Sequence, residues 1–161
     1  MQQDTFKTER LVLTPLSLED WEFVKELVNT DGWIRFIGQR NIRSREDAET
    51  YIRKIIDNPA TSFWVMKSGH QKLGVLSFIQ REYLPAPDIG FALLPVHEGK
   101  GYAYEAATGL LKLVENEYAA IYATTIPSNT KSIALLNKLG LQFEKEITIE
   151  QEKLNVYHMT T

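Results

Sequence analysis

A chain of 161 residues, with 43% hydrophobic and 24% charged residues, has the size and composition of one globular domain spanning residues 1–161. Its net charge of −3 and dispersed basic residues disfavour a nucleic-acid or anionic-membrane partner, and the lack of cysteine excludes disulfides, cysteine nucleophiles and thiolate metal sites. The three histidines show no ligand spacing, so no metal is predicted. Because the chain has neither a secretion signal nor a run of about eighteen apolar residues, we expect a cytoplasmic protein.

The first half of the chain predicts four strands and two helices. Ser17, with an acidic residue three positions later, predicts the start of a helix that runs to about Val28 and is broken at Asp31 and Gly32. Ser44 repeats this capping pattern and predicts a second helix that ends near residue 58. Runs rich in β-branched and aromatic residues predict strands over residues 10–15, 62–67, 73–79 and 88–94.

The second half of the chain alternates helices and strands. Alanine, leucine and valine recur at helical spacing from Ala103 to Val114, which predicts an amphipathic helix packed on the sheet. A strand over residues 121–126 precedes a helix over residues 129–139 that Gly140 stops, and two more strands follow through residue 159. Consecutive strands mixed with two helical crossovers predict an α+β (mixed α/β) fold around a partly parallel sheet.

Two glycines flank Lys100 at the entrance of the predicted helix that begins near residue 102. The first backbone amides of a helix lack intrahelical partners, and glycine lets an anion approach them, so the stretch favours a phosphate site. A Walker loop is excluded because the glycine spacing is wrong and Tyr102 follows Gly101. A dinucleotide fingerprint is disfavoured because Tyr104 stands where a third glycine or alanine is needed.

The stretch EGKGYA at residues 98–103 resembles the acyl-CoA loop of the GNAT N-acetyltransferases. Further stretches resemble the branch that contains ribosomal-protein N-acetyltransferases, in the same order along the chain: RLVLT at 10–14, DIGF at 88–91, YEAA at 104–107, NTKS at 129–132 and LNKLGL at 136–141. The resemblance implies a GNAT-like fold with a six- to seven-stranded sheet, splayed at the acyl-CoA site, and about four helices. It also implies acetyl-CoA as the acyl donor.

The same resemblance implies which residues bind the donor. The pantetheine arm would lie along the strand before the glycine loop, the diphosphate on the loop amides, and the sulfur near the helix that follows residue 129. The implied cofactor-binding residues are Phe91, Ala92, Leu93, Gly99, Lys100, Gly101, Tyr102, Ala103, Tyr104, Asn129 and Ser132. Lys138 matches a position near the nucleotide, although its helix face equally predicts solvent exposure.

Attack of an amine on a thioester predicts three catalytic roles. The backbone amide around Leu93 is the candidate donor to the carbonyl oxygen, which gains negative charge. Asp88 is a candidate base for the amine, with Glu98 as the alternative. Leu136 stands where many relatives have an acidic tyrosine, so Ser132 is the candidate that stabilises the leaving thiolate by a hydrogen bond. Glu98 itself replaces the usual Gln or Arg, and its side chain is expected to turn toward Lys100 or Tyr102.

These observations predict an N-acetyltransferase that acts on a primary amine, with a protein N-terminal α-amine as one acceptor class and a CoA-binding module without turnover as the alternative. Either a monomer or a homodimer fits the sequence. Asn129 also fits a simple helix cap, and Ser132 a neutral surface position. Arginines at positions 35, 40, 43 and 45 fit either substrate steering or a solvated loop. The aromatic residues Trp33, Phe36, Tyr83 and Tyr157 fit either an acceptor pocket or the core.

Overall fold

The strands of this chain form one sheet of mixed direction. The computed structural model describes residues 4–161. Within that range the strands are β1 (Phe6–Lys7), β2 (Val12–Pro15), β3 (Thr61–Ser68), β4 (Gln71–Ile79), β5 (Asp88–Leu93), β6 (Ala120–Thr125), β7 (Gln142–Ile149) and β8 (Glu152–Thr160). Their order across the sheet is β1-β2-β3-β4-β5-β6-β8-β7. Only β5 and β6 run parallel among these neighbours, which confirms the predicted fold class. The expected six to seven strands become eight because the two-residue β1 pairs with β2.

The described range holds five α-helices, against about four expected. They are α1 (Trp21–Val28), α2 (Asp31–Phe36), α3 (Arg45–Ile56), α4 (Tyr102–Val114) and α5 (Thr130–Leu139). The additional helix α2 begins where the sequence predicted a break, because the Thr30 hydroxyl caps it by accepting the Trp33 N–H at 3.3 Å. None of the helices within residues 4–161 is long and apolar enough to cross a membrane.

Each face of the sheet carries its own helical layer and core. On one face, Leu110 and Leu136 of α4 and α5 pack against sheet residues that include Trp64. On the other face, α1 and α3 cover Val65, which follows Trp64 and therefore points to the opposite side of the sheet. We call these the α4/α5 face and the α1/α3 face. Trp33 lies in the core of the α1/α3 face, so for this aromatic residue the core interpretation is confirmed.

Candidate active site

The two parallel strands in the middle of the sheet separate soon after they meet. β5 pairs with β4 along its whole length, whereas its described pairing with β6 is confined to Asp88 opposite Tyr122. There the Tyr122 N–H donates to the carbonyl oxygen of Pro87 at 2.9 Å. Beyond this point β5 pairs, within residues 4–161, with a strand on one side only, so a gap opens between β5 and β6. This is the splayed sheet that the resemblance implied.

Backbone alternation decides which β5 groups face the gap. The Leu94 N–H donates to the Leu73 carbonyl oxygen at 2.9 Å, on the side of β4. Since the hydrogen-bonding direction of the backbone reverses at each residue, the polar groups of Ala92 also face β4, and those of Phe91 and Leu93 face the gap. The pantetheine-pairing role therefore fits the backbone of Phe91 and Leu93. The backbone groups of Ala92, the third residue implied by the resemblance, face β4.

The glycine loop holds its backbone in a conformation that other residues avoid. Gly99 and Gly101 have φ angles of 76° and 82°, both left-handed, and Gly101 precedes α4 without any side-chain cap. The first helical bond is the one that Glu105 N–H donates to the Gly101 carbonyl oxygen at 3.0 Å. The amides from Gly101 to Tyr104 consequently have no partner inside the helix, and the helix dipole makes this end attractive to an anion.

The start of α5, which carries Asn129 and Ser132, lies near the glycine loop, since Lys131 in its first turn pairs with Glu98 just before the two glycines. The side-chain oxygen of Asn129 accepts the Ser132 N–H at 3.3 Å, which confirms Asn129 as a helix cap. Ser132 is half-buried in the first turn. Leu136 lies one turn further on, is 1% exposed and belongs to the core, so its position supplies packing and no acid.

Asp88 lies where β5 and β6 begin to separate. The residue is 3% exposed, and its Oδ2 atom accepts a hydrogen bond from the Thr124 hydroxyl at 3.3 Å and lies 3.6 Å from the Nε atom of Arg81. Burial raises the pKa of Asp88 to about 6, although Arg81 and the Thr124 hydrogen bond act in the opposite direction. A carboxyl group with such a pKa is ionised at neutral pH and is suited to accept a proton.

The comparisons with known proteins agree with this geometry. The family model for the acetyltransferase (GNAT) domain matches residues 10–142, which is most of the chain. The chain belongs to the GNAT acetyltransferase family. This membership confirms the predicted enzyme class, acyl transfer.

This acetyltransferase also resembles individual proteins along nearly its whole length. It is 28% identical over 140 residues to the uncharacterized N-acetyltransferase YnaD of Bacillus subtilis (strain 168), covering 85% of this chain and 82% of that protein. The crystal structure of a GNAT-family acetyltransferase from Bacillus anthracis matches with a TM-score of 0.80 and 25% identity, covering 97% and 98% of the two chains. RimL, a ribosomal L7/L12 α-N-protein acetyltransferase solved in complex with coenzyme A, matches with a TM-score of 0.84 and 16% identity, covering 97% of each chain.

Glu98 makes a different contact from the one expected, whereas Lys138 of α5 is exposed, as its helix face predicted. Glu98 pairs with Lys131 of α5, its Oε2 atom lying 3.5 Å from Nζ, and not with Lys100 or Tyr102. The pair links the loop before α4 to the first turn of α5, at a largely exposed position where it contributes little stability. Lys138 is exposed, and its Nζ atom lies 4.2 Å from the centre of the Tyr104 ring.

Sequence reasoning missed one residue that contacts the glycine loop of this acetyltransferase. The sequence places Arg10 only at the start of a predicted strand, yet in the fold its Nη1 atom donates to the Lys100 carbonyl oxygen at 2.9 Å and its Nε atom lies 2.6 Å from Glu105. No local pattern signals this contact, because Arg10 and Glu105 are 95 positions apart. Only an Arg near one end of the chain and a Glu in the first turn of the α4 helix were visible.

Proposed function

We propose that the protein is an acetyl-CoA-dependent N-acetyltransferase that moves an acetyl group to a primary amine by direct attack on the thioester, and that residues 1–161 act as one domain. The observation that carries the proposal is the gap between β5 and β6, which exposes the backbone groups of Phe91 and Leu93 beside the uncapped start of α4. The complex of the similarly folded RimL with coenzyme A supports the choice of donor.

The residues fit the donor in three places. The amides from Gly99 to Tyr104, the stretch that includes Lys100, Tyr102 and Ala103, would bind the diphosphate, because two left-handed glycines leave them accessible. The gap along β5 would hold the pantetheine arm as an added strand, pairing with Phe91 and Leu93. Ser132, half-buried at the start of α5, would donate to the leaving sulfur while Asn129 caps the helix. Bound acetyl-CoA supplies the activated acetyl group.

Protein groups perform the remaining chemistry. The Leu93 N–H faces the gap and would donate to the acetyl oxygen as that atom gains negative charge, a contribution of about 3 kcal/mol for one such donor. Asp88 would accept the amine proton. Its side chain shares a sheet face with Ala92, which packs in the α1/α3 core, whereas α4 and α5 lie on the other face. Donor and acceptor would therefore enter from opposite faces.

The pKa of the acceptor amine indicates which chemical class of amine the enzyme would use. An α-amine with a pKa of about 8 is partly neutral near pH 7, whereas a lysine amine with a pKa of about 10.4 is almost fully charged. A base with a pKa of about 6 therefore suits an α-amine better. The fold shared with RimL, which acts on a protein α-amine, favours the same choice. We propose a protein N-terminal α-amine as the acceptor.

Release of free thiol from acetyl-CoA, measured on adding a panel of amines, tests the proposal. The panel includes N-terminal peptides, polyamines and aminoglycosides at several pH values. We expect release with peptides and a loss of about a hundredfold or more in kcat/KM for Asp88→Asn. Tight CoA binding without release by any amine would refute the enzyme and support the alternative, a CoA-binding module. Release confined to polyamines or aminoglycosides would refute the α-amine assignment alone.

A further inference from the structure

A small network ties the segment before β2 to the first turn of α4. The Oε2 atom of Glu105 accepts hydrogen bonds from the Thr8 hydroxyl and from the Arg10 backbone N–H, the latter at 2.8 Å. Its Oε1 atom lies 2.6 Å from Nε of Arg10. Partial burial acts to raise the pKa of Glu105, but the hydrogen bonds from Thr8 and Arg10 outweigh it and lower that pKa. Glu105 is therefore ionised and held by several donors at once.

The guanidinium group of Arg10 then contacts three consecutive residues of the glycine loop. Its Nη1 atom donates to the Lys100 carbonyl oxygen at 2.9 Å. Its Cζ atom lies 4.5 Å from the centre of the Tyr102 ring. Its Nη2 atom lies 3.3 Å from the place where a Cβ atom on Gly101 would be. A single planar group thus holds the loop from its carbonyl side while Glu105 holds that group in place.

The consequence concerns the direction of one amide. The peptide group between Lys100 and Gly101 is planar and trans, so its carbonyl oxygen and its N–H point in opposite directions. Because Arg10 binds the carbonyl oxygen, the Gly101 N–H must point away from Arg10. Glycine otherwise allows this peptide many orientations. The charge of Arg10 also offsets that of Glu105, which lies in the first helical turn and would otherwise repel an anion there.

We propose that Arg10 is a positioning residue for the diphosphate site, holding the loop peptide so that the Gly101 N–H is directed at the anion. The proposal rests on the proposed function, because it assumes that the loop binds the diphosphate of CoA. Arg10 acts through the loop backbone and not by contact with the reacting atoms. Loss of Arg10 should therefore weaken the binding of ligands that carry the diphosphate and leave the binding of ligands without it unchanged.

Calorimetric titration with CoA and with pantetheine, which lacks the diphosphate, tests this assignment. For Arg10→Ala we expect the dissociation constant of CoA to rise about tenfold, the loss of roughly one hydrogen bond to a charged group, with that of pantetheine unchanged. Arg10→Lys keeps the charge but loses the fork that binds Glu105 and the loop together, so it should restore less than half of the lost binding free energy.

The matched control is Arg45→Ala. Arg45 is also an exposed arginine with its Nε atom 2.8 Å from a glutamate, Glu49, and with its Cζ atom 5.0 Å from the centre of an aromatic ring, but it lies on α3. Removing it should leave both dissociation constants unchanged. Thermal denaturation checks that each variant folds. If Arg10→Ala does not fold, the CoA and pantetheine titrations of Arg10→Lys still test the proposal.

Four outcomes would overturn the assignment. Unchanged CoA binding in Arg10→Ala would refute the positioning role alone, and so would an equal loss for CoA and pantetheine, which would indicate a general structural role. Full recovery in Arg10→Lys would show that charge, and not geometry, matters. A wild-type protein that binds no CoA would instead overturn the proposed function together with this inference.

Discussion

Replacement of Asp88 by asparagine should remove a pH dependence of stability that burial creates. Asp88 is 3% exposed, and burial raises its pKa from the ordinary 3.8 to about 6. The folded chain therefore binds this proton more tightly than the unfolded chain does. Tighter proton binding by the folded chain adds to the free energy of unfolding. This added free energy is fully present below pH 3.8 and is lost as the pH rises through about 6. At about 1.4 kcal/mol for each pKa unit, the full loss is about 3 kcal/mol.

Urea denaturation followed by tryptophan fluorescence at a series of pH values measures this loss. Between pH 4 and pH 8 the wild type should lose about 2 to 3 kcal/mol more unfolding free energy than Asp88→Asn, which cannot ionise. Asp57→Asn, which removes an exposed carboxylate at the end of α3, is the control and should follow the wild type. Parallel curves for the wild type and Asp88→Asn would show that the pKa is not raised, and the reasoning about the base would fail.

Three further substitutions test the site and its support. Gly101→Ala forces a left-handed residue at φ 82° and should lower both CoA affinity and stability, the latter by about 1 to 2 kcal/mol. Gly69→Ala, at φ 61° in the turn between β3 and β4, should lower stability alone in the same denaturation and calorimetric measurements. Gly74→Ala places a Cβ atom 2.2 Å from a β5 carbonyl oxygen and should lower the free energy of unfolding by about 3 kcal/mol. Its control, Gly32→Ala on α2, adds a Cβ atom in open space and should raise that free energy by about 0.5 to 1 kcal/mol. Equal effects of the two substitutions would contradict the packing argument. Leu136→Tyr should lower stability by about 1 to 3 kcal/mol without raising kcat, because the hydroxyl enters a filled core; a gain in kcat would show that the position can hold an acid.

Sequence reasoning succeeded where the structure is local. Ser44 caps α3, accepting the Asp47 N–H at 3.0 Å, and Gly140 ends α5 in a left-handed conformation, both at the places that the residue types predicted. The glycine stretch was placed correctly at the start of α4 for the same reason. Capping and left-handed turns depend on residues within a few positions of one another, so the sequence displays them.

Sequence reasoning failed where two weak local preferences compete or where a contact joins segments that are distant in the chain. The first helix ends at Val28 as predicted, but Asp31 and Gly32, expected only to break it, lie in a further helix, α2, which the Thr30 cap begins. Glu98 was expected to meet a loop neighbour, but folding brings Lys131 of α5 to it. The approach of α5 to the loop depends on how both helices pack on the sheet. The residue types at positions 98 and 131 carry no record of that packing.

The sequence by itself determined the α+β class, the helix caps and the left-handed glycine loop, because propensity, period and turn chemistry act over short distances. Only the tertiary structure decided that the pairing of β5 with β6 ends at Asp88, that the backbone groups of Phe91 and Leu93 face the gap while those of Ala92 face β4, and that Arg10 contacts the loop. These features depend on strand register and on segments up to 95 positions apart. The pKa of Asp88 belongs with them, since burial is a property of the packed fold and not of the residue.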